Sequence, residues 1–303
     1  MVQNALMPNL KFFLRLCLLT LLMSCAGRAQ QLPSAITTDP VPDKEFPITM
    51  EAPDILSHGA RMNAVFYLAS GAGPHPTVLL LHGFPGNEKN MDLVYVLQRA
   101  GWNVLFPHYR GTWGSDGTFS FTNAIEDSRV AVDFLCEPAN AKRYRADLMR
   151  IVAIGHSMGG FMAMYEAAHD PRVSAVAMIS AWNIGPTVLR AADNGRIDSY
   201  KNSSPRLAGT TPEGLMAEVK ANAANWNYVD YAELLKSKPV LVLESSDRNR
   251  ADNQAMAEAL RKAGNTRVTE KHFETDHSFF DHRIALQVAI LDWLQSLPAR
   301  ESK

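Results

Sequence analysis

The hexapeptide Gly155-His156-Ser157-Met158-Gly159-Gly160 is the segment of this chain most able to do chemistry. It follows the apolar run 150–155 and opens a helix-forming stretch, 158–169, so it reads as strand, tight turn and helix around the pattern G-x-S-x-G. Glycine two residues before and after the serine removes side chains that would strike neighbouring backbone at so sharp a turn. Ser157 is then held in a strained conformation with its hydroxyl exposed, a nucleophile in waiting. The helix that begins just after it directs its positive end toward developing negative charge.

A serine hydroxyl is a weak nucleophile without a base, and around such a turn the partners follow in the chain order serine, acid, histidine. Of the nine histidines, His277 in Asp276-His277-Ser278-Phe279 meets that order, between the last predicted strand and the C-terminal helix. His272 falls inside that strand, while His58, His75 and His169 fall outside the strand-end loops. His282 is the near rival and belongs to the helix. His277 is therefore assigned as general base. The run 239–244 leads into Ser245-Ser246-Asp247, which makes Asp247 the acid that orients the imidazole and stabilises its charged form. Glu244, Asp252 and Asp276 compete: the first sits at a strand end and points elsewhere, the second starts a helix it can cap, and the third is too close in sequence to fold back on His277.

A tetrahedral intermediate needs two donors for its oxyanion. The amide of Met158, next after the nucleophile, is one. The other comes from the loop after the first buried parallel strand, His82-Gly83-Phe84-Pro85-Gly86, and is assigned to the amide of Phe84; a plain glycine-proline turn would have the same shape without the function.

These residues need a frame that brings strand-end loops together. Short apolar runs at 77–81, 103–107, 150–155, 175–180, 239–244 and 267–273 lack alternation, as parallel strands covered on both faces require. Segments 48–55 and 61–69 alternate loosely and predict an antiparallel hairpin at the sheet edge. Segments 88–100, 123–135, 158–169, 251–263 and 281–297 carry apolar residues at three- and four-residue spacing and predict helices. The sum is an α/β fold, a doubly wound and mostly parallel sheet. Residues 183–237 break the alternation and are too long for a bare loop. Thr211-Pro212-Glu213 is a good helix start, and Leu215 and Val219 mark one face of it, so the insertion is a partly helical cap. Trp182, Trp226, Tyr228 and Tyr231 either line acyl and leaving-group pockets or pack as aromatic core.

In a chain of 303 residues, one catalytic domain spanning 48–303 is expected, since such sheets use about 200–250 residues as a unit. Thirty Lys and Arg balance 31 Asp and Glu, which leaves no electrostatic footprint for nucleic acid. A small molecule or short peptide is the expected partner. Residues 1–29 read as an export signal, with Lys11 and Arg15 before the apolar run 16–23 and small residues after it. From Phe12 the apolar stretch also approaches a weak retained anchor, although it falls short of the ~20 residues an ordinary span needs. Two cleavage sites compete. Leu22-Met23-Ser24-Cys25 resembles a lipobox, with Cys25 lipidated and attached to a membrane; Gly27-Arg28-Ala29 offers cleavage before Gln30. The mature protein is expected outside the cytoplasm, as a periplasmic, lipid-anchored or secreted form, with 30–47 as a linker. Cys136 then stands alone and reads as a buried, inert thiol. No Cys/His cluster has zinc spacing, and no cofactor is called for.

The set His82-Gly83-Phe84-Pro85-Gly86, Tyr109-Arg110-Gly111, the Ser157 hexapeptide, Asp247 and Asp276-His277 resembles the α/β-hydrolases. It is most similar to the catalytic domains of prolyl-oligopeptidase and acylaminoacyl-peptidase relatives, over roughly residues 60–298. The resemblance implies a serine hydrolase acting on esters, amides or small peptides. It also likens Tyr109-Arg110-Gly111, with Gly114 and Gly117, to an arginine-glycine loop in which Arg110 either braces the loop through a carboxylate or touches substrate. The chain departs from that pattern in two ways. No repeats build a gating propeller, and Phe84 stands where some of those peptidases present a tyrosine hydroxyl. No acidic pair marks a pocket for a free amino end, so an esterase on small acyl esters stands beside a peptidase. An acyltransferase using the same acyl-enzyme, and a catalytically dead fold that only binds, are the readings from other classes.

Overall fold

Residues 32–190 and 196–298 are described by the computed structural model; the expected signal and both of its cleavage sites lie outside them. Within these bounds the strands are β1 (Thr49–Glu51), β2 (Asp54–Ser57), β3 (Ala60–Leu68), β4 (His75–Leu81), β5 (Asn103–Pro107), β6 (Ala146–His156), β7 (Val173–Ile179), β8 (Val240–Ser245) and β9 (Val268–Phe273). They form one sheet in the order β1-β3-β5-β4-β6-β7-β8-β9, with β2 beside β3. From β5 to β9 every pairing is parallel.

The apolar runs serve both faces of this sheet. In β4, Leu79 and Leu81 join one core while Val78 and Leu80 join the other; Ile151 and Ala153 oppose Val152 and Ile154 in the same way. Helices cover both sides, and such burial at every position is what makes the strands continuous rather than alternating. The helices are α1 (Ser34–Thr37), α2 (Met91–Arg99), α3 (Phe121–Cys136), α4 (Pro138–Arg143), α5 (Met158–His169), α6 (Ile184–Arg190), α7 (Arg196–Ser203), α8 (Pro212–Asn222), α9 (Arg250–Lys262) and α10 (Arg283–Ser296). Residues 34–47 lie along the body: Ala35 and Ile36 pack on the core beneath α2 and α10, and Arg99 Nε donates to the Ala35 carbonyl at 2.6 Å.

Two expectations about the sheet need correction. The segment 48–55 is two short strands, β1 and β2, and both pair antiparallel with β3. The tight hairpin is β2-β3, closed by His58 and Gly59 at φ 48° and 81°, the left-handed pair that a two-residue turn needs. The segment 267–273 is not buried throughout. It forms β9 at the sheet edge, where the residues before Phe273 alternate between half-buried and exposed because only β8 flanks them.

The insertion 183–237 folds as α6, α7, α8 and two 3-10 turns. Thr211 caps α8 by accepting from the Gly214 amide at 3.0 Å, with Pro212 in the first turn and Leu215 and Val219 buried, as the sequence predicts. The cap is stitched to the body. The Glu218 carboxylate on α8 accepts from the Phe121 and Thr122 amides at 3.0 and 2.8 Å, and Ser120 Oγ takes the Asn123 amide, so the start of α3 is satisfied jointly by itself and by the cap. Ala208 and Gly111 exchange a backbone hydrogen bond beside the Thr112–Leu207 bridge. Cys136, at the end of α3, is half-buried rather than fully buried; burial raises its thiol pKa, in keeping with inertness.

Candidate active site

Ser157 sits between β6 and α5 at φ 57°, ψ −119°, a left-handed conformation costly for a residue with a Cβ. The turn is locked by backbone hydrogen bonds: the Ser157 amide donates to Ile179 O at 2.9 Å, and its carbonyl accepts from Gly160 at 3.0 Å and Trp182 at 2.9 Å. The flanking glycines are obligatory on steric grounds. A Cβ on Gly155 would lie 1.9 Å from the Gly159 oxygen, and one on Gly159 would lie 2.0 Å from the Leu81 oxygen.

His277 and Asp247 meet at the same end of the sheet. Asp247 lies in the loop after β8 and His277 in the loop after β9; the Nδ1–H of His277 donates to Asp247 Oδ2 at 2.5 Å. Burial alone would raise the Asp247 carboxyl, but the hydrogen bond and charge of His277, with the Asn249 amide on Oδ1 at 2.8 Å, hold it below the usual value. Ser157 and His277 line one cleft of about 140 Å³, together with Gly83, Phe84, Glu88 and Ser278. The loop behind His277 is fastened by Arg283, which donates to Ser278 O at 2.9 Å and grips Asp92 on α2.

The loop after β4 packs against the nucleophile: a Cβ on Gly83 would lie 3.1 Å from Ser157 Cβ. His82 Nδ1–H donates to Gly83 O at 2.8 Å, and Trp113 Nε1–H to Pro85 O at 2.8 Å, which fixes the stretch that carries the Phe84 amide. The Met158 amide opens α5, where helix-start donors face outward.

One residue that sequence reading passed over is His156. Its Nε2–H donates to the carbonyl of His277 at 2.8 Å, and the two rings lie 4.7 Å apart. His156 is one of three buried histidines at the ends of adjacent strands, with His82 after β4 and His108 after β5; the pairings Leu81↔Gly155 and Leu79↔Leu105 bring them abreast. Burial lowers their pKa values to about 3 for His156, about 4 for His82 and about 3 for His108, where the charges of His277 or of neighbouring His82 and Lys89 act in the same direction. All three are neutral at pH 7. The signal for His156 is its place in the G-x-S-x-G pattern beside the nucleophile; its partner 121 residues away is visible only in the fold.

The rival acids are otherwise engaged. Glu244 is buried, with its carboxyl raised to about 7 by burial and by Glu270, and faces Arg250 at 3.6 Å. Asp252 pairs with Arg190 at 2.5 Å, and Asp276 Oδ1 accepts from the Ser278 and Phe280 amides of its own turn. His282 sits at the start of α10 beside Asp281. Arg110 takes the bracing role. Its Nε meets Asp127 at 2.6 Å and its Nη2 meets Glu126 at 2.5 Å, while Ser57 Oγ also donates to Asp127 at 2.6 Å, so the loop, α3 and β2 are knotted together. Trp182, Trp226, Tyr228 and Tyr231 are all buried in the core. Trp226 and Tyr231 also edge a separate outer groove of about 680 Å³ with Tyr165 and His169. Among the described residues, no three His, Cys, Asp or Glu side chains are arranged to hold a metal ion.

Sheet order, helical cap and the serine at the β6-α5 turn are those of the α/β-hydrolase fold, and the chain has that fold. Residues 76–201 match the family model described as alpha/beta hydrolase fold. The esterase EstD of Thermotoga maritima is 29% identical over 152 residues, 46% of this chain and 34% of that protein. The chain spans less than half the length of the curated relatives it matches. Among solved structures, an esterase of Pyrococcus furiosus aligns with a TM-score of 0.61 at 18% identity, covering 85% of this chain and 96% of that one. The acylaminoacyl peptidase of Pyrococcus horikoshii aligns with a TM-score of 0.64 at 16% identity, covering 84% and 43%. At these identities the structures share the fold.

Proposed function

We propose that this chain is a serine hydrolase that cleaves carboxylic esters or amides through an acyl-enzyme on Ser157. The observation that carries the reading is the His277–Asp247 hydrogen bond at the mouth of the cleft that Ser157 also lines. With Nδ1–H given to Asp247, Nε2 of His277 holds a lone pair and can take the Ser157 proton as Oγ attacks the acyl carbon. The carbonyl π pair moves onto oxygen, where the amides of Phe84 and Met158 receive it. Collapse of that intermediate breaks the bond to the alcohol or amine, which leaves with the proton from His277; water then repeats the sequence and releases the acid. Similarity to an esterase and to an acylaminoacyl peptidase supports both ester and amide substrates. Phe84 gives the oxyanion its amide but no side-chain hydroxyl, a departure from the peptidase pattern that keeps an esterase at least level with a peptidase.

An alkyl fluorophosphonate should label Ser157 stoichiometrically in the folded protein, and Ser157→Ala should lower kcat by roughly 10⁴–10⁶. Failure to label while a control esterase reacts would remove the reading. We also propose export, on the strength of Lys11, Arg15 and the apolar run 16–23, with a mature start at Cys25 or Gln30. Among the described residues no helix is long and apolar enough to cross a membrane. Intact-mass measurement of protein from cell fractions decides it: recovery of the chain from Met1 in the cytoplasm ends the proposal.

A further inference from the structure

We infer that the cleft selects esters of short acyl chains and that the ring of Phe84 sets the limit. This rests on the serine-hydrolase reading above and names the substrate class it takes. The cleft beside Ser157 holds about 140 Å³, well below the ~300–1,000 Å³ of sites that enclose larger ligands. At the mouth stand Asn87, which is exposed, and Glu88 and Ser278, which are half-buried. Phe84, itself half-buried, lines the same cleft.

Phe84 has no room behind it. Its ring centroid lies 5.7 Å from Phe119, 5.6 Å from Phe121, 6.2 Å from Trp182 and 5.6 Å from Tyr200, and all four of those rings are buried. Interiors packed this way give little when an extra methylene is pushed into them. Among the described residues, the outer groove beside the cap shares none of the lining residues of the catalytic cleft and so does not extend it.

Chemistry assigns the two parts of the ester. The leaving group takes its proton from His277, so it must lie by His277 and Ser278, toward the mouth. We assign the acyl substituent to the ring of Phe84, the one large apolar side chain among the residues that line the cleft. A long alcohol portion can run out into solvent, whereas a long acyl chain meets the aromatic block.

The experiment compares p-nitrophenyl acetate, butyrate and octanoate, which share a leaving group, with ethyl and octyl acetate, which share an acyl group. In the wild type, kcat/KM should fall about tenfold or more from butyrate to octanoate, while the two acetates should agree within about threefold. Phe84→Ala keeps the backbone amide and removes the ring, and should raise the octanoate-to-acetate ratio by about tenfold or more. The wild-type pair of series stands without that variant, should it fail to fold. If Ser157 takes the fluorophosphonate but octanoate is turned over as readily as acetate, or alcohol length matters as much as acyl length, the size limit is wrong and the hydrolase reading survives. If Ser157 resists labelling and no ester is cleaved, both fall together.

Discussion

His277 donates its Nδ1 proton to Asp247 across 2.5 Å, joining two loops whose residues are 30 apart in sequence. Because that bond fixes the imidazole tautomer, Asp247→Asn should cost roughly 10⁴ in kcat, as when the acid of a serine-protease triad becomes its amide. Asp252→Asn and Asp276→Asn, whose carboxylates are bound elsewhere, should cost far less. Adding Asp247→Asn to Ser157→Ala should change almost nothing further, since the three groups act as a unit. Steady-state kinetics of the four single variants and the double variant measures this; near-wild-type turnover in Asp247→Asn would reassign the acid.

His156 acts through His277 and is a positioning residue. Removing its donor in His156→Leu should lower kcat by about 10–100-fold with a smaller change in KM, because a small displacement of the base is felt in the chemical step. His156→Gln carries an N–H that can reach the His277 carbonyl and should recover most of the loss. The rate of fluorophosphonate labelling should track kcat. Equal activity in the leucine and glutamine variants would show that the hydrogen bond is immaterial.

The three strand-end histidines make the fold acid-sensitive in a defined window. Their folded pKa values, about 4 for His82 and about 3 for His108 and His156, lie below the ordinary value of 6.5. Between those limits the unfolded chain binds protons at these histidines that the native state refuses, so their contribution to stability falls as pH falls from about 6.5. Each contributes up to about 1.4 kcal/mol per pH unit, and the three together about 4. Asp247, with its folded pKa lowered, works in the same direction but only below about pH 4. The carboxyls of Glu244 and Glu166, raised to about 7 by burial, take up protons on folding in the same range and offset part of this slope. Urea midpoints at pH 7, 6 and 5 are therefore compared between the wild type and His108→Phe, which should lose less stability toward acid. A His108→Phe profile that parallels the wild type over that range would contradict the His108 shift.

Arg110 braces its loop through Asp127 and Glu126 and is not among the residues that line the cleft. Arg110→Ala strands the buried Asp127 carboxylate and should cost about 3–5 kcal/mol, whereas the double change Arg110→Leu with Asp127→Leu should cost less. Ester kcat/KM of the folded double variant should stay within about threefold of wild type, because neither residue lines the cleft. A selective loss of kcat/KM with full stability would return Arg110 to the substrate.

The positions of Ser157, Asp247 and His277 were legible because a strand-turn-helix pattern and chain order are local and topological signals. Central strands were legible too, since burial on both faces leaves an uninterrupted apolar run. The antiparallel edge was read as such, but the far edge was not: the residues of β9 read as one more buried segment, whereas among the described residues β9 pairs with β8 alone and leaves side chains exposed. The break between β1 and β2 was likewise hidden, because alternation persists through it. His156 and Glu218 were missed for a different reason. His156 works through one hydrogen bond and Glu218 through two, all to backbone groups about 100 residues away or more, and a backbone group leaves no residue-type signature to pair with.

The seam made by Glu218 bears on how such a protein can be re-engineered. Grafting a foreign segment in place of 183–237 is an obvious way to change what the cleft accepts, but this segment supplies the carboxylate that finishes α3. A graft that omits it would leave two helix-start amides wanting an acceptor at the same moment as it altered selectivity. Chimeras should therefore carry an acidic side chain at the Glu218 position, or give α3 a new cap of its own, before differences in substrate range are credited to the transplanted walls.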